Sequence, residues 1–161
     1  MAHLISPTTY RAIVSGSCAS ALSAVALAIA GHKEAGSAAA PVNAVSHWYW
    51  GDEALHQRQT DVRHTVAGYL THHGAAIFWA ALLAAFLQRN PAMNTPPRLA
   101  LASAATSAIA CFVDFRLTPQ RLTPGYEHRL SRKALAVTYL VFAVGLALGA
   151  LVTRPRGNRL T

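Results

Sequence analysis

The stretch that decides the fold is Ala134-Leu-Ala-Val-Thr-Tyr-Leu-Val-Phe-Ala-Val-Gly-Leu-Ala-Leu-Gly-Ala-Leu-Val-Thr153, which carries no charged residue. A hydrocarbon core about 30 Å thick is crossed by roughly 20 helical residues. This run therefore has the length and composition of a transmembrane helix. Residues 12–31 and 65–88 form two further charge-free runs of at least this length. A shorter run at 99–113 becomes long enough when it is extended to 98–117, with Arg98 snorkelling at one end.

The composition of the whole chain agrees with this interpretation. Of its 161 residues, 53% are hydrophobic and only 12% are charged, whereas soluble domains carry about a quarter of charged residues. A secreted or cytosolic enzyme is therefore excluded. The sequence predicts an all-α integral membrane protein, a compact antiparallel four-transmembrane-helix bundle that forms a single domain over residues 1–161. The predicted spans are about 11–31, 64–88, 98–117 and 133–153.

The first apolar run has a second interpretation, as a cleaved signal peptide. Arg11 precedes it, and small residues that resemble a cleavage site follow at residues 28–30 and 38–40. The charge-free stretch is longer than the usual core of a signal peptide and carries small residues at helix-packing spacing. We therefore expect a retained span.

Small residues four positions apart predict where the spans pack. Lipid supplies no hydrophobic drive between helices, so close backbone approach and hydrogen bonds must hold them together. The fourth span carries Gly145 and Gly149 in a GxxxG spacing, and the third carries Ser103 and Ser107. We expect the two glycines to mark the tightest helix crossing or a contact between two copies.

Helix-ending signals agree with the predicted spans. Asn90-Pro91 should end the second helix, Pro96-Pro97 should begin the third, and Ser131 should cap the fourth. The loop at 32–63 contains Ser46-His-Trp-Tyr-Trp-Gly51, a predicted interfacial aromatic segment that could form a short helix on the membrane.

The ionisable residues are distributed unequally between the two sides of the predicted membrane. With four spans, the first and third loops share one side, and all six acidic residues belong to it. The opposite side carries His3 and no acidic residue, and its arginines are Arg11, Arg89, Arg98, Arg154, Arg156 and Arg159. The acid-free side has six Lys and Arg residues and the other side has eight, so their number does not decide the orientation. Their concentration in short segments favours a bacterial inner-membrane protein with both termini in the cytoplasm.

Two adjacent histidines, His72 and His73, require an explanation. They lie about 11 to 12 Å along a helix that begins at Thr65, and ionisable groups at such depth usually face the bundle interior or a wet cavity. A purely structural interpretation is one neutral histidine bonded to a Ser or Thr on a neighbouring span. The functional interpretation places this histidine in a polar cluster with Asp114 and the third loop. The predicted cluster comprises His72, His73, Asp114, Arg116, Arg121, Glu127, His128 and Arg129.

Two hypotheses for function remain. The leading one is a non-enzymatic accessory or binding protein whose polar face contacts lipid headgroups, a partner membrane protein or a second copy. The alternative is a membrane-embedded enzyme or a metal or haem protein that uses His72 or His73 with Asp114 and Glu127. No HExxH motif or cysteine-pair motif is present, so we predict no metal and no cofactor; the best improvised ligand set adds His64 to His72 or His73 and Asp114. The position of the cations at the ends of apolar runs argues against nucleic acid as a ligand.

Overall fold

The computed structural model describes residues 5–154, which contain seven α-helices and no strand. The helices are α1 (Pro7–Glu34), α2 (Ala40–Val45), α3 (His47–Trp50), α4 (Asp52–His56), α5 (Ala67–Arg89), α6 (Pro96–Phe112) and α7 (Arg132–Val152). A π-helical turn at Val62–Val66 leads into α5, and another at Val113–Leu117 extends α6. Four stretches are long and apolar enough to cross a membrane, namely Pro7–Glu34, Val62–Arg89, Pro96–Leu117 and Arg132–Val152. The prediction of an all-α chain with four long apolar helices is confirmed.

Helix ends follow the signals in the sequence, with one exception. The Ser131 side chain accepts a hydrogen bond from the Ala134 N–H at the start of α7, and α5 ends at Asn90. The exception is α1, which begins four residues before the predicted boundary at Arg11. Arg11 is buried and donates from Nη2 to the Ala150 carbonyl, 3.1 Å away, in the last turn of α7. Its charge therefore caps a neighbouring helix and does not mark an end. Arg156 and Arg159 lie outside the described residues.

Helix α1 packs between α5 and α7 and runs antiparallel to both. A Cβ atom on Gly145 would lie 2.8 Å from the Ala19 nitrogen, and one on Gly149 would lie 2.9 Å from the Ser15 nitrogen. The GxxxG face of α7 is thus in backbone contact with α1 of the same chain. Because α1 covers it, this face is not available for a contact between two copies.

Helix α6 completes the arrangement by packing on α7. Ser103 is fully buried, and the Ser107 hydroxyl donates a 2.7 Å hydrogen bond to the Tyr139 carbonyl of α7. Helices α5 and α6 are neighbours in the sequence but make few contacts with each other. The bundle is therefore more open than the compact bundle of the prediction. A seam runs between α5 and α6, because α5 packs on α1 and α6 packs on α7.

The first and third loops close one end of the bundle, which we call the acid-rich end. Helix α2 is buried there, and Gly68 allows it to lie against α5, since a side chain at this position would meet the Val42 carbonyl. Gly125 adopts a positive φ of 88° in the third loop. The aromatic segment forms α3, with Tyr49 exposed and the Trp48 indole turned inward to donate to the Thr123 carbonyl at 2.8 Å.

Asp61 organises the junction between the first loop and α5. Its carboxylate accepts hydrogen bonds from the His64 backbone N–H at 2.5 Å, from the His64 Nδ1 at 2.8 Å and from Gln57 at 2.7 Å. The backbone hydrogen bond from His64, followed by the side-chain one, holds the pKa of Asp61 below its ordinary value of 3.8. Glu53 approaches the other ring nitrogen of His64 to 3.7 Å.

Because folding lowers the pKa of Asp61, its contribution to stability is present above the ordinary pKa and is lost as the pH falls through the lower pKa of the folded state. We expect Asp61→Asn to accelerate amide hydrogen exchange at residues 57–66 at pH 7 and to abolish part of the acceleration that the native chain shows below about pH 4. Asp52→Asn, a change of an exposed acid in the same loop, is the control. Identical exchange in the native and Asp61→Asn proteins at both pH values would contradict this role.

Candidate functional site

A partly open cavity of about 60 Å³ lies between the long helices at the acid-rich end. A single water needs about 10–15 Å³ measured in this way, so the space holds several waters or one small polar group. Its apolar wall includes Trp48, Trp79 and Phe142. The polar side chains that line it are Ser23, Thr71, His72, Asp114, Tyr126, Thr138 and Tyr139.

The position of His72 follows from the packing of α5 on α1. Gly16 permits this approach, since a Cβ atom there would lie 2.7 Å from the Ile77 Cα. His72 is one turn and a half farther toward the acid-rich end, and its Nε2 lies 2.9 Å from the Ser23 hydroxyl of α1. The hydrogen bond that the structural interpretation expects, between a histidine and a serine on a neighbouring span, is therefore formed. The same ring also faces the cavity, so the functional interpretation stays open.

Asp114 is held on the other side of the cavity by a chain of two tyrosines. The Tyr126 hydroxyl donates to the Tyr139 hydroxyl at 3.0 Å, and the Tyr139 hydroxyl donates to Asp114 Oδ2 at 2.6 Å. Burial raises the pKa of Tyr126, which keeps this phenol protonated and able to donate. The carboxyl group of Asp114 is thus fixed in position by the third loop and by α7.

His72 and Asp114 line the same cavity, and a neighbouring helix holds each of them by one hydrogen bond. His72 Nε2 lies 2.9 Å from the Ser23 hydroxyl of α1, and Asp114 Oδ2 accepts from the Tyr139 hydroxyl of α7. No Lys or Arg side chain of the described chain lines the cavity. A phosphate or another strong anion would find no counter-charge there. An uncharged group that donates a hydrogen bond to the Asp114 carboxyl group fits the cavity better.

The aliphatic hydroxyl groups of the cavity are already engaged in local hydrogen bonds. Thr71 donates to the Ala67 carbonyl at 2.9 Å, Thr138 donates to the Ala134 carbonyl at 3.0 Å, and Ser23 lies 2.7 Å from the Ala19 carbonyl. Each of these bonds returns to the helix that carries the hydroxyl. The arrangement therefore favours binding over nucleophilic attack.

The eight residues of the predicted polar cluster fall in several places. His72 and Asp114 line the cavity. Arg121, Glu127 and His128 instead line an open surface groove of about 630 Å³ between the first and third loops. Arg116 is exposed, and half-buried Arg129 has an Nε and an Nη2 without partners among residues 5–154.

His73 points away from the cavity because successive helical residues are about 100° apart. Its ring stacks on Tyr69 of the preceding turn, with centroids 5.8 Å apart and an interplanar angle of 24°. The set of His73, Asp114 and Glu127 that the enzyme hypothesis allows is therefore not brought together.

Within residues 5–154, no three His, Cys, Asp or Glu side chains are grouped in a way that could hold a metal ion. His64, the added member of the improvised ligand set, is buried and bonded to Asp61 outside the cavity. A haem would need His32, His64 or His128 to reach inward as a ligand, and of these His32 and His128 are exposed. No family model matches the chain, and no curated protein or solved structure is significantly similar to it.

Sequence reasoning missed Tyr139, Tyr126 and Ser23. Tyr139 could have been noticed, because a tyrosine well inside an apolar span needs a partner for its hydroxyl group. Tyr126 and Ser23 gave no such signal, since serines are frequent in α1 and a tyrosine in a loop is ordinary. Only the packing of the third loop on the bundle shows that Tyr126 is buried.

Proposed function

We propose that this chain is a non-enzymatic membrane binding protein that holds a small hydrogen-bonding group in the cavity between His72 and Asp114. The four long apolar helices support insertion in a membrane. The observation that carries the proposal is that Asp114 and His72 line one cavity from different helices, and that each is fixed in position by a hydrogen bond to a third helix.

The inner-membrane location and the cytoplasmic termini belong to the same proposal. Four arginines of the described chain, Arg11, Arg89, Arg98 and Arg154, lie at the end opposite the acid-rich end, where no acidic residue accompanies them. Concentrated cations favour the cytoplasmic side. The cavity then opens toward the outer half of the bilayer, so its ligand comes from the lipid phase or from the outer surface.

The proposal predicts what copurifies with the protein. We expect mass spectrometry of the chain purified in mild detergent to find a bound small molecule. His72→Ala and Asp114→Ala should reduce its amount at least tenfold, because each change removes an atom that orients the bound group. The matched controls are His32→Ala and Asp52→Ala, which alter exposed residues of the same types at the same end.

All four variants should insert and remain folded. Retention of the molecule at the native level in both cavity variants would contradict the proposal. A loss of melting temperature with unchanged ligand content would leave His72 and Asp114 with a structural role alone.

A second function has one observation in its favour. The Ser23 hydroxyl lies 2.9 Å from His72 Nε2 in a cavity that Asp114 also lines, an arrangement that a hydrolase of the membrane would need. Against it, Ser23 lies inside α1, where neighbouring N–H groups are committed to helix hydrogen bonds and cannot form an oxyanion hole. Covalent labelling of Ser23 by a fluorophosphonate, lost in Ser23→Ala and His72→Ala, would favour the hydrolase over the binding protein.

A further inference from the structure

The seam between α5 and α6 contains a second space that adjoins the cavity. It is an apolar groove of about 460 Å³, and its walls include Leu82 and Phe86 of α5 and Leu101 and Ile109 of α6. These four side chains are between 44% and 66% exposed, so the groove opens sideways out of the bundle. In a membrane this side faces the lipid chains.

The groove and the cavity are neighbours along the two helices. On α5, the cavity is lined by residues from Thr71 to Trp79, and the groove by residues from Trp79 to Phe86. On α6, which runs in the opposite direction, the groove is lined by residues from Leu101 to Ile109, and the cavity begins at Ala110. Trp79 lines both spaces. The seam therefore has a polar space at the acid-rich end, followed by an apolar groove over the next 10 to 12 Å at about 1.5 Å per residue.

Two adjoining spaces of this kind match an amphiphile with a small head and one apolar tail. The cavity would accept an uncharged head that donates to Asp114, whereas its size and its lack of cations disfavour a phosphate. The groove would accept one chain, in the direction that the lipid chains take. We infer that the ligand is a single-chain lipid with an uncharged hydroxyl-type head, whose head lies between His72 and Asp114 and whose tail lies between α5 and α6. This inference rests on the proposed function and names its ligand class.

Quenching of Trp79 tests the inference directly. The chain contains three tryptophans, so Trp48→Phe with Trp50→Phe leaves Trp79 as the only reporter. The probe is a monoacylglycerol with a dibrominated chain, titrated into detergent-solubilised protein. We expect saturable quenching. Lysophosphatidylglycerol with the same brominated chain should give only a linear increase with concentration.

A groove-filling variant and a matched control locate the tail. Ala105 lines the groove, whereas its exposed neighbour Ala104 does not, so Ala105→Phe should weaken monoacylglycerol binding at least tenfold and Ala104→Phe should leave it unchanged. Because Trp48 itself lines the cavity, native mass spectrometry should repeat the comparison in a chain that keeps all three tryptophans. There we expect one bound monoacylglycerol per chain, lost only in Ala105→Phe.

The outcomes separate this inference from the proposed function. Linear quenching by both lipids, equal binding in the two alanine variants, or saturable binding of the anionic lipid with the same affinity would each overturn the single-chain assignment. If His72→Ala and Asp114→Ala still lose a copurified molecule in that case, the cavity binds a ligand without a tail and the proposed function stands. If those variants lose nothing either, both proposals fail.

Discussion

Replacing Gly145 by leucine should destabilise the bundle by about 3 kcal/mol or more, at the upper end of the cost of overpacking. A Cβ atom at this position meets the Ala19 backbone of α1, at 2.8 Å from its nitrogen and closer still to its Cα. No change of rotamer relieves a clash that begins at Cβ, so α1 and α7 must separate. Since α1 also carries the contacts with α5, we expect the whole bundle to loosen.

Gly74 provides a matched control for this experiment. It lies in α5, also within a long apolar helix, and a Cβ atom there would meet nothing within 4 Å. Gly74→Leu should therefore keep or slightly raise the stability, because leucine has the higher helix propensity by about 0.8 kcal/mol. The measurement is thermal unfolding of both variants in the same detergent. Equal melting temperatures of the two variants would contradict a close crossing of α1 and α7.

Replacing Tyr139 by phenylalanine should have the largest effect within the site. The change removes the donor to Asp114 and the acceptor of Tyr126 in one step, and it leaves both of those groups without their partner. Unsatisfied buried polar groups cost about 1–3 kcal/mol each, so we expect a loss of about 2 kcal/mol or more in stability. Tyr126→Phe should cost less, because it removes only the outer donor and leaves the bond to Asp114 intact.

A double-mutant cycle isolates the bond that positions Asp114. If the Tyr139 hydroxyl holds this carboxyl, Tyr139→Phe and Asp114→Asn together should cost less than the sum of the single changes, with a coupling of about 0.5–3 kcal/mol. Ligand content should fall in Tyr139→Phe as well, because the carboxyl group is then no longer fixed in position at the cavity. Effects that add to within about 0.5 kcal/mol would show that the tyrosine does not position Asp114.

The features of the fold that depend only on the local sequence could be predicted. The four charge-free runs fix the long helices, and Ser131, Asn90 and Pro96 place three of the ends. The start of α1 was misplaced because a charge was taken as a boundary, whereas Arg11 finds a helix end to bind. The hydrogen-bond partner of Arg11 depends on which helices pack together, and the sequence near Arg11 does not contain that information.

The arrangement of the helices limited what could be said about the site. Hydrophobic runs do not specify which spans touch, so the seam between α5 and α6 had no signature in the sequence. His72 and Asp114 could be assigned to one pocket from the sequence, because two consecutive antiparallel spans place both residues at the same end of the bundle. The separation of Glu127 and His128 from them depends on how the third loop folds, with Tyr126 turned into the bundle while Glu127 and His128 line the surface groove.

The most direct test is an experimental structure of the chain in lipid, solved from protein that keeps what it binds during purification. We expect non-protein density in the cavity, within hydrogen-bond distance of the Asp114 carboxyl group, that continues past Trp79 between α5 and α6. Two results would contradict this expectation in protein that still carries bound lipid elsewhere. One is a cavity that contains only water, and the other is a cavity closed by direct contact between His72 and Asp114.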